Sequence, residues 1–582
     1  MSDFIVLAWR EEAACRAQTI KSRVAADPAW RLAVDGAHMA VFLSRDRPLP
    51  LLRLPGVTGV IIGSVFDTGE AAAGRGRVAD LTRLCGESPV ALCRRLTQEA
   101  WGSYVAVLPD GDGAPNVFRD PLGSLECLAW RRDDVFVIAS RLDPRAPHAP
   151  PDLVIDWRSL SALLRQKSLS SVTVPLLGVQ GVDPGVMHSA DGCRWRLWTP
   201  SNFAQTRLAR RDARPEDLAA VVDGCVAAWV KGRGGALCEV SGGLDSAILV
   251  AALRRAGAPI IGAFNHYWPE PEADEREFAR IVAQAVGLDL TERAHGLLCW
   301  DAEKLAKVAG AARPSFSAAD ANYDADMAVS LAEFGADSLF TGQGGDAVFH
   351  QMASAALVGD ILLGGHPVKG RLSALATLAH RSRRTVWSLL SEAMKRRRMD
   401  GGAHVSFLTD DAAAPQPGDR HPWLQDFRGV SRAKQVQIQA LTNNQSMFGD
   451  SLRARAGRLI QPLLSQPVVE LCLSIPAPML AVGDTDRPFA RAAYAERLPA
   501  AVLRRRWKGD LSVFFAQSMA ESLPFLRSFL LEGRLAGQGL IDCERLEAIL
   551  HCDELIWFDH SGELTAAVIL EAWVRHWEAA TS

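Results

Sequence analysis

The sequence predicts two domains: an N-terminal layered α+β domain and a larger C-terminal α/β domain built on a parallel sheet. At 582 residues the chain is too long for one hydrophobic core. Its first two hundred residues contain many short β-rich runs and few helices, which is typical of a layered α+β domain. From residue 215 onward, strand patterns alternate with helix patterns, which indicates a parallel sheet with right-handed crossovers.

Composition and charge limit the classes of function. Hydrophobic residues are 48% and charged residues 23% of the chain, which is ordinary for a globular protein. The net charge of −3 gives no field for nucleic acid or an acidic membrane. The cysteines form no C-x-x-C pair, which argues against zinc and suits reduced thiols. With no visible signal peptide or membrane span, we expect a cytoplasmic protein without nucleic-acid or membrane partners.

Short strands are predicted along the N-terminal part wherever β-rich runs are bounded by Gly, Pro or Asp. These runs are 4–9, 57–66, 102–109 and several within 116–139. Residues 88–101 predict a helix, and residues 168–200 predict a bridge of short strands. The polar segment 200–214 is interpreted as the linker, which gives domains of 1–205 and 206–582.

One stretch lies where a predicted strand turns into a helix. An apolar run at 236–240 predicts a buried strand, and 247–256 predicts a helix. Between them stands Ser-Gly-Gly-Leu-Asp-Ser at 241–246, a pyrophosphate-binding loop of the kind found in enzymes that split ATP into AMP and pyrophosphate. It is not the G-x-x-x-x-G-K-[ST] loop of other nucleotide-binding proteins. We therefore expect ATP at this turn.

Each residue type in this loop suits polyphosphate. Gly242 and Gly243 allow a tight turn that comes close to a ligand. The hydroxyls of Ser241 and Ser246, with the free N–H groups of the helix start, can face an anion. Asp245 would be unwelcome among phosphates unless Mg²⁺ lies between them. The structural alternative is a glycine turn that caps a helix.

The strand–helix alternation continues after this loop. Residues 259–264 predict a second strand that ends at Phe264, and 288–292 predict a third. The helix predicted at 272–286 starts with acidic residues, which either complement the helix dipole or take part in substrate selection. In such sheets ligands bind at the carboxyl ends of the strands, where the first loop falls.

A second glycine turn repeats this arrangement about a hundred residues later. A predicted helix at 320–334 is followed by a predicted strand at 337–341 and by Gly-Gln-Gly-Gly-Asp at 342–346. A glycine turn alone is weak evidence, but here it follows the first loop. Asp245 and Asp346 could thus hold Mg²⁺ on either side of a pyrophosphate.

The rest of the chain is predicted to be helical and ends with a basic run. Periodic apolar residues predict helices at 388–397, 432–443 and 468–474, and 461–467 forms a proline-bounded turn. The basic run comprises Arg504, Arg505, Arg506 and Lys508. It is either a solvated turn or a cation that stabilises the charge on departing pyrophosphate.

The N-terminal part resembles the glutaminase-type (Ntn) domain of the asparagine synthetase superfamily. The resemblance lies in Trp-Gly-Ser-Tyr at 101–104, Phe-Arg-Asp-Pro-Leu-Gly at 118–123 and the run 135–140. Working glutaminases of that family carry a catalytic cysteine after the initiator methionine, whereas Ser2 stands here and the first cysteine is Cys15. A thiolate is a better nucleophile than a hydroxyl near neutral pH. The resemblance therefore implies a degenerate class II amidotransferase-like domain that supplies no ammonia and serves as scaffold or peptide dock.

Residues 206–582 resemble the synthetase domain of that superfamily, a PP-loop ATP pyrophosphatase. Residues 241–246 match its pyrophosphate loop, 342–346 its Ser-Gly-Glu-Gly-Ser-Asp motif, and Lys508 its late lysine. In that family a carboxylate attacks the α-phosphorus of ATP, and an amine displaces AMP from the acyl-adenylate. The resemblance implies ATP and Mg²⁺ as cofactors and Lys508 as a catalytic residue. The implied nucleotide residues are Val240, Ser241, Gly242, Gly243, Asp245, Ser246, Phe264, Gly342, Gln343 and Gly344, with Asp245 and Asp346 as magnesium ligands.

Three departures indicate one branch of the superfamily. The nucleophilic cysteine is missing, and Gln343 replaces the glutamate that serves the aspartate/ammonia reaction in asparagine synthetases. The runs 341–349 and 461–467 are similar to those of lasso peptide macrolactam synthetases. The resemblance implies that a core-peptide Asp or Glu is adenylated and that the peptide's N-terminal amine closes an isopeptide ring. The implied partners are the precursor peptide, a leader peptidase and a leader-recognition protein.

Other functions stay open at this point. A β-lactam synthetase-like cyclase would act on a small amino-acid derivative and would use a tyrosine to activate the amine. Tyr323, about 23 residues before Asp346, is the candidate for that catalytic role, although a packed helix tyrosine is equally expected. An ammonia-dependent asparagine synthetase-like ligase and an inactive peptide-binding scaffold are the remaining alternatives.

Overall fold

The computed structural model describes residues 3–54, 59–81, 87–268, 270–271, 273–363, 370–394, 405–416, 418–506, 509, 512–557 and 560–581. Within these ranges, no helix is both long enough and apolar enough to cross a membrane.

Two antiparallel sheets form most of the N-terminal part. Its strands are β1 Phe4–Ala8, β2 Trp30–Asp35, β3 Met39–Ser44, β4 Leu51–Arg53, β5 Val60–Asp67, β6 Ala100–Pro109, β7 Pro115–Arg119, β8 Leu128–Arg132, β9 Val135–Ala139, β10 Val154–Ile155, β11 Leu176–Leu177, β12 Gln180–Gly181, β13 Val186–Ser189 and β14 Arg194–Arg196. The first sheet has the order β12-β8-β9-β1-β3-β2, and the second has the order β14-β13-β7-β6-β5-β4. Its helices are α1 Ala14–Ala25, α2 Thr68–Ala72, α3 Pro89–Glu99 and α4 Trp157–Arg165.

The two sheets pack face to face, with helices on their outer faces. Alternate residues of β1, such as Phe4 and Val6, pack against Ile62 of β5 and Val105 of β6, since successive side chains of a strand point to opposite faces. Helix α1 covers the outer face of the first sheet, and α3 covers that of the second. Helix α3 starts where Ser88 Oγ accepts a hydrogen bond from a first-turn N–H. The layering agrees with the predicted α+β arrangement, while kinship with glutaminases stays a prediction.

A five-stranded parallel sheet lies at the centre of the C-terminal part. Its strands are β15 Ala236–Glu239, β16 Ile260–Tyr267, β17 Leu290–Ala294, β18 Ser338–Phe340 and β19 Arg458–Ile460. Their order is β17-β16-β15-β18-β19, with every neighbouring pair parallel. The chain builds outward from β15 to β17 and then returns to place β18 on the other side of β15. Ligands of open α/β sheets bind at such a reversal of strand order.

Many helices surround this sheet, as the sequence predicts. They are α5 Pro215–Val230, α6 Leu244–Arg255, α7 Arg276–Val286, α8 Ala302–Ala306, α9 Ala321–Glu333, α10 Gly345–Val348, α11 Ala355–Leu363, α12 Arg371–Arg381, α13 Val386–Met394, α14 Asp410–Ala413, α15 Arg432–Gln445, α16 Leu452–Ala456, α17 Gln466–Ser474, α18 Ala477–Ala481, α19 Pro488–Ala493, α20 Ala500–Arg504, α21 Ser512–Glu521, α22 Leu523–Leu526, α23 Arg534–Gly537, α24 Cys543–Ile549, α25 Cys552–Trp557 and α26 Ser561–Thr581.

Two predicted helix starts are wrong by three residues or more. Helix α6 begins at Leu244, three residues before the predicted start, so Asp245 and Ser246 lie in its first turn. Helix α7 begins at Arg276, four residues after the predicted start. The acidic residues before Arg276 therefore lie outside the helix. Asp274 accepts a hydrogen bond of 2.7 Å from the Arg276 side chain instead of complementing the helix dipole.

Apolar clusters cross the predicted domain boundary at residue 205. Trp101 of β6 and Phe66 of β5 pack against Trp229 of α5, with ring centroids 5.8 Å and 5.0 Å from that indole. Ile20 of α1 belongs to the same buried cluster as Trp573 of α26. The two parts of the chain thus share buried side chains, and this contact fixes the N-terminal sheets against the parallel sheet.

Candidate functional site

The first glycine turn leaves β15 at the carboxyl edge of the parallel sheet. The Val240 N–H donates a hydrogen bond to the Phe264 carbonyl, and the Val240 carbonyl accepts one from Asn265 Nδ2, each over 2.8 Å. Gly242 then adopts φ +83°, and a Cβ there would lie 2.7 Å from the Glu275 carbonyl oxygen. Glycine is required here because any other residue would be strained and would clash.

The two serines of this turn hold its shape. Ser246 Oγ accepts a hydrogen bond from the Ser241 N–H over 3.2 Å and donates one to the Gly243 carbonyl over 3.1 Å. The hydroxyl oxygens of Ser241 and Ser246 lie 3.0 Å apart. Gly243 immediately precedes α6, so the turn delivers the chain directly into the positive end of a helix dipole.

A pocket of about 670 Å³ opens against the start of α6. Ser241, Gly243 and Asp245 contribute to its wall. The basic side chains that also line it are His380, Arg381, Arg383, Arg487, Arg491, Arg505 and Arg506. A helix N-terminus and a set of guanidinium groups both favour negative charge, so the pocket suits a polyphosphate.

The second glycine turn leaves β18 and packs directly on the first. A Cβ at Gly342 would lie 2.7 Å from the Ser246 backbone nitrogen. A Cβ at Gly345 would lie 2.4 Å from the Asp245 carboxylate. The adjacent strands β15 and β18 therefore bring the two motifs into contact, and the glycines leave room for that contact.

The two predicted metal ligands meet at one point, where an arginine lies between them. Arg487 Nη1 donates to the Asp245 carboxylate oxygens over 2.8 and 2.7 Å and also contacts Asp346 Oδ1. No group of three or more His, Cys, Asp and Glu residues within the described ranges could hold a metal ion. The pair nevertheless fits magnesium, since both carboxylates converge on one cation and Mg²⁺ takes most of its ligands from phosphates and water.

Gln343 is held by an amide–amide contact. Its Oε1 accepts a hydrogen bond from Gln461 Nε2 over 2.7 Å, and Gln461 directly follows β19. Gln461 also lines a cavity of about 570 Å³ between the parallel sheet and the N-terminal sheets, together with Ser64, Gly102 and Arg119. The residue in the middle of the second motif is thus linked through Gln461 to this interdomain cavity.

Tyr323 lies at the same edge of the sheet and contacts a carboxylate. Its hydroxyl donates to Oε1 of Glu239, the last residue of β15 and the neighbour of Val240. Arg453 lies over the ring, 4.7 Å from its centroid. Burial and then the charge of Glu239 raise the pKa of the Tyr323 hydroxyl, so the phenol is a neutral donor to that carboxylate.

Two histidine–aspartate pairs surround Tyr323. His295 Nε2 lies 2.8 Å from Asp320 Oδ2, and His266 Nε2 lies 2.6 Å from Asp326 Oδ2. Burial opposes the charged imidazole, but the hydrogen bond and charge of Asp320 outweigh it and raise the pKa of His295. The carboxyl ends of β16 and β17 therefore carry titratable groups next to the first turn.

The remaining predicted residues occupy different surroundings. The Phe264 side chain is buried against Leu237 and Met327, so its backbone carbonyl is the atom that meets the first turn. Lys508 lies outside the described residues. In the basic run, Arg505 Nη1 donates to the Gly242 carbonyl over 3.1 Å. The nucleotide, metal and catalytic roles of all these residues stay predictions.

Glu239 and Arg487 are site residues that were not predicted from the sequence. Glu239 interrupts an apolar strand, and a carboxylate at the carboxyl end of a buried strand was the available signal. Arg487 gave no sequence signal beyond its positive charge, because its contact with Asp245 spans 242 residues of chain.

Comparisons with known proteins identify the family. Among solved structures, "Structure of the allosteric regulatory enzyme of purine biosynthesis" matches with 10% identity and a TM-score of 0.21, covering 51% of this chain and 82% of its own. Glutamine phosphoribosylpyrophosphate amidotransferase from B. subtilis, complexed with ADP and GMP, matches with 10% identity and a TM-score of 0.20, covering 50% and 81%. These likenesses are too weak to carry an argument. No curated protein sequence gives a significant match. The asparagine synthase family matches residues 217–575. Because that match spans more than half of the chain, the protein belongs to the asparagine synthase family of ATP-dependent amide-forming ligases.

Proposed function

We propose that this protein is an ATP-dependent macrolactam synthetase. It activates an Asp or Glu side chain of a core peptide, and the peptide's own N-terminal amine closes an isopeptide ring. The observation that carries the ligase chemistry is the contact between the two glycine turns, which brings Asp245 and Asp346 together beside a basic pocket.

In the first step, a carboxylate oxygen of the peptide attacks the α-phosphorus of ATP, and pyrophosphate leaves with the electrons of the broken P–O bond. The turn at Ser241 and the start of α6 bind the departing phosphates. Asp245 and Asp346 would hold magnesium, which neutralises phosphate charge when it is bound. Arg506 of the pocket wall adds positive charge where pyrophosphate leaves. Lys508 has the same proposed role.

In the second step, the amine attacks the activated carbonyl, and AMP leaves with the electrons of the broken C–O bond. The attacking amine must lose a proton, which needs an acceptor in the site. We assign that role to the Tyr323–Glu239 pair. The amine proton passes to the Tyr323 oxygen while the Tyr323 proton passes to the Glu239 carboxylate. This transfer leaves the phenol neutral, in accord with its raised pKa.

Gln343 supports an amine other than ammonia. In asparagine synthetases the corresponding residue is a glutamate that serves the ammonia reaction. Gln343 is instead a neutral amide, and its side chain is hydrogen-bonded to Gln461. A macrolactam synthetase needs a precursor peptide, and a leader peptidase and a leader-recognition protein are its proposed partners. The N-terminal sheets form one wall of the interdomain cavity and are the proposed scaffold or dock for that peptide.

A β-lactam synthetase-like cyclase is the second candidate. The Tyr323–Glu239 contact suits it equally, because a tyrosine activates the amine in that class of enzyme. This candidate would act on a small amino-acid derivative rather than on a peptide.

One assay separates these functions. The protein is incubated with ATP, Mg²⁺, a candidate precursor and its leader peptidase, and both peptide mass and AMP are followed. Loss of one water from the peptide with AMP release supports the macrolactam synthetase, and Asp245→Asn should abolish both signals. AMP release only with a small carboxylate would favour the second candidate. AMP release only with aspartate and ammonium would favour an asparagine synthetase-like ligase. No nucleotide turnover with any substrate, unchanged in Asp245→Asn, would indicate an inactive scaffold.

A further inference from the structure

Arg487 has an unusual backbone for a non-glycine residue. It directly precedes Pro488, the first residue of α19, and adopts φ +50° and ψ 49°. Residues other than glycine persist in this left-handed region only where their surroundings determine it, and such positions cluster at functional sites. The side chain is almost fully buried, with 4% of its surface exposed. This strained backbone directs a buried guanidinium into the phosphate pocket.

The guanidinium is surrounded by carboxylates from three parts of the chain. Nη1 lies 2.8 and 2.7 Å from the two oxygens of Asp245 and also contacts Asp346. Nε lies 2.7 Å from Asp486 Oδ2. Asp245 comes from the first glycine turn and Asp346 from the second. One cation thus bridges both motifs.

This position is the one at which magnesium would meet the same two carboxylates. Two carboxylates that contact the same guanidinium nitrogen would repel each other without a cation between them. A guanidinium and a magnesium ion cannot share that space. The chain thus supplies a cation of its own between these two carboxylates.

We propose that Arg487 is a positioning residue that occupies the magnesium position until the nucleotide arrives. It keeps Asp245 and Asp346 together in the free protein and gives way when magnesium enters with ATP. The free protein therefore resists magnesium alone, and the metal binds as its ATP complex. This inference rests on the proposed role of Asp245 and Asp346 as the magnesium pair.

The test measures metal binding in the absence of ATP and peptide. Mn²⁺ binding is followed by electron paramagnetic resonance, and thermal unfolding is followed with and without Mg²⁺. The variants are Arg487→Met, which removes the cation, and Arg487→Lys, which keeps the charge but cannot bridge both carboxylates. Arg497→Met is the matched control, because Arg497 Nη1 pairs with buried Asp223 over 2.7 Å away from the two turns.

The expected result is a gain of metal binding. Arg487→Met should bind Mn²⁺ at least tenfold more tightly than the wild type, and Mg²⁺ should restore its lowered unfolding temperature. Arg487→Lys should show a smaller gain. Arg497→Met should lose stability that Mg²⁺ does not restore. Adding Asp346→Asn to Arg487→Met should remove the gain.

Equal Mn²⁺ affinity in wild type and Arg487→Met would overturn the proposal, as would a gain that survives Asp346→Asn. If Arg487→Met does not fold, Arg487→Lys serves as the test variant. An unfolding temperature that responds to Mg²⁺ in Arg487→Lys only as it does in the wild type would overturn the proposal. The measurement is independent of the reaction product. If Arg487→Met gains Mn²⁺ binding as expected but the protein forms no macrolactam, only the proposed function is refuted.

Discussion

Replacing Gly342 by alanine should separate the two glycine turns. A Cβ at this position would lie 2.7 Å from the Ser246 nitrogen, 2.9 Å from the Asp245 carbonyl carbon and 3.0 Å from the Ser246 Cα. All three are backbone atoms of the first turn of α6, so no flexible side chain can move aside. The strand ends must therefore shift, or α6 must move away from β18.

The size of the effect follows from these distances. Ordinary contact of roughly 3.5–4.0 Å requires the turns to separate by about 1 Å. Overpacking of this kind costs about 1–3 kcal/mol of stability. A displacement of about 1 Å in a catalytic arrangement lowers the rate on the order of 10²-fold. Gly342→Ala should therefore remain folded with a lower unfolding temperature and lose most of its ATP–pyrophosphate exchange.

Exchange of labelled pyrophosphate into ATP, with the accepted substrate present, measures the first step, and thermal unfolding measures stability. Gly359→Ala is the matched control, because a Cβ there meets no atom within 4 Å and Gly359 lies inside α11. That control should gain about 0.5–1 kcal/mol of stability, since alanine favours helices over glycine, and it should keep full exchange. Wild-type exchange and stability in Gly342→Ala would refute the close contact of the two turns.

Three further predictions concern titratable groups whose pKa is shifted by their surroundings. Tyr323→Phe should keep pyrophosphate exchange but lose amide formation by about 10²–10⁴-fold; equal loss of both steps would refute the proton-transfer role. Burial raises the pKa of Glu470 to about 7, so the folded protein holds a proton that the unfolded chain has lost. Glu470 alone should lower the free energy of unfolding by about 3 kcal/mol as the pH rises from 4.5 to 7. Glu470→Gln should remove this pH dependence when unfolding is measured across the same range. Burial lowers the pKa of Lys434 from 10.5 to about 7, so its contribution to stability should rise with pH between these values. A Lys434→Met variant that keeps the same rise would refute that reasoning.

The sequence predicted the order of strands and helices well where periodicity or turn residues were clear. Strands β15, β16, β17 and β18 all lie within a few residues of their predicted positions. Helix α6 starts earlier than predicted because its N-cap is Gly243, which lacks the Ser, Thr, Asp or Asn signal of most helix starts. Strand β19 was missed because Arg458–Ile460 is too short to show a period.

The candidate site was predictable only in its local parts. Each glycine turn is predicted by its glycine-rich sequence, because glycine is needed where the backbone turns sharply. The contacts between parts are set by tertiary structure. Glu239 and Tyr323 are 84 residues apart, and their hydrogen bond was not predictable from the sequence because the sheet brings them together. Arg487 belongs to a segment whose sequence indicates only positive charge.

The structure also changes the meaning of the glycines in the second turn. As a sequence, Gly-Gln-Gly-Gly-Asp suggests a second phosphate-binding loop. In the structure, Gly342 abuts the backbone of Ser246, and Gly345 abuts the carboxylate of Asp245. These two glycines allow the two turns to pack closely, and this packing sets the separation of Asp245 and Asp346. The second motif therefore determines where a cation between these two carboxylates lies. For this reason a single methyl group at Gly342 should impair ATP activation although it removes no charged group.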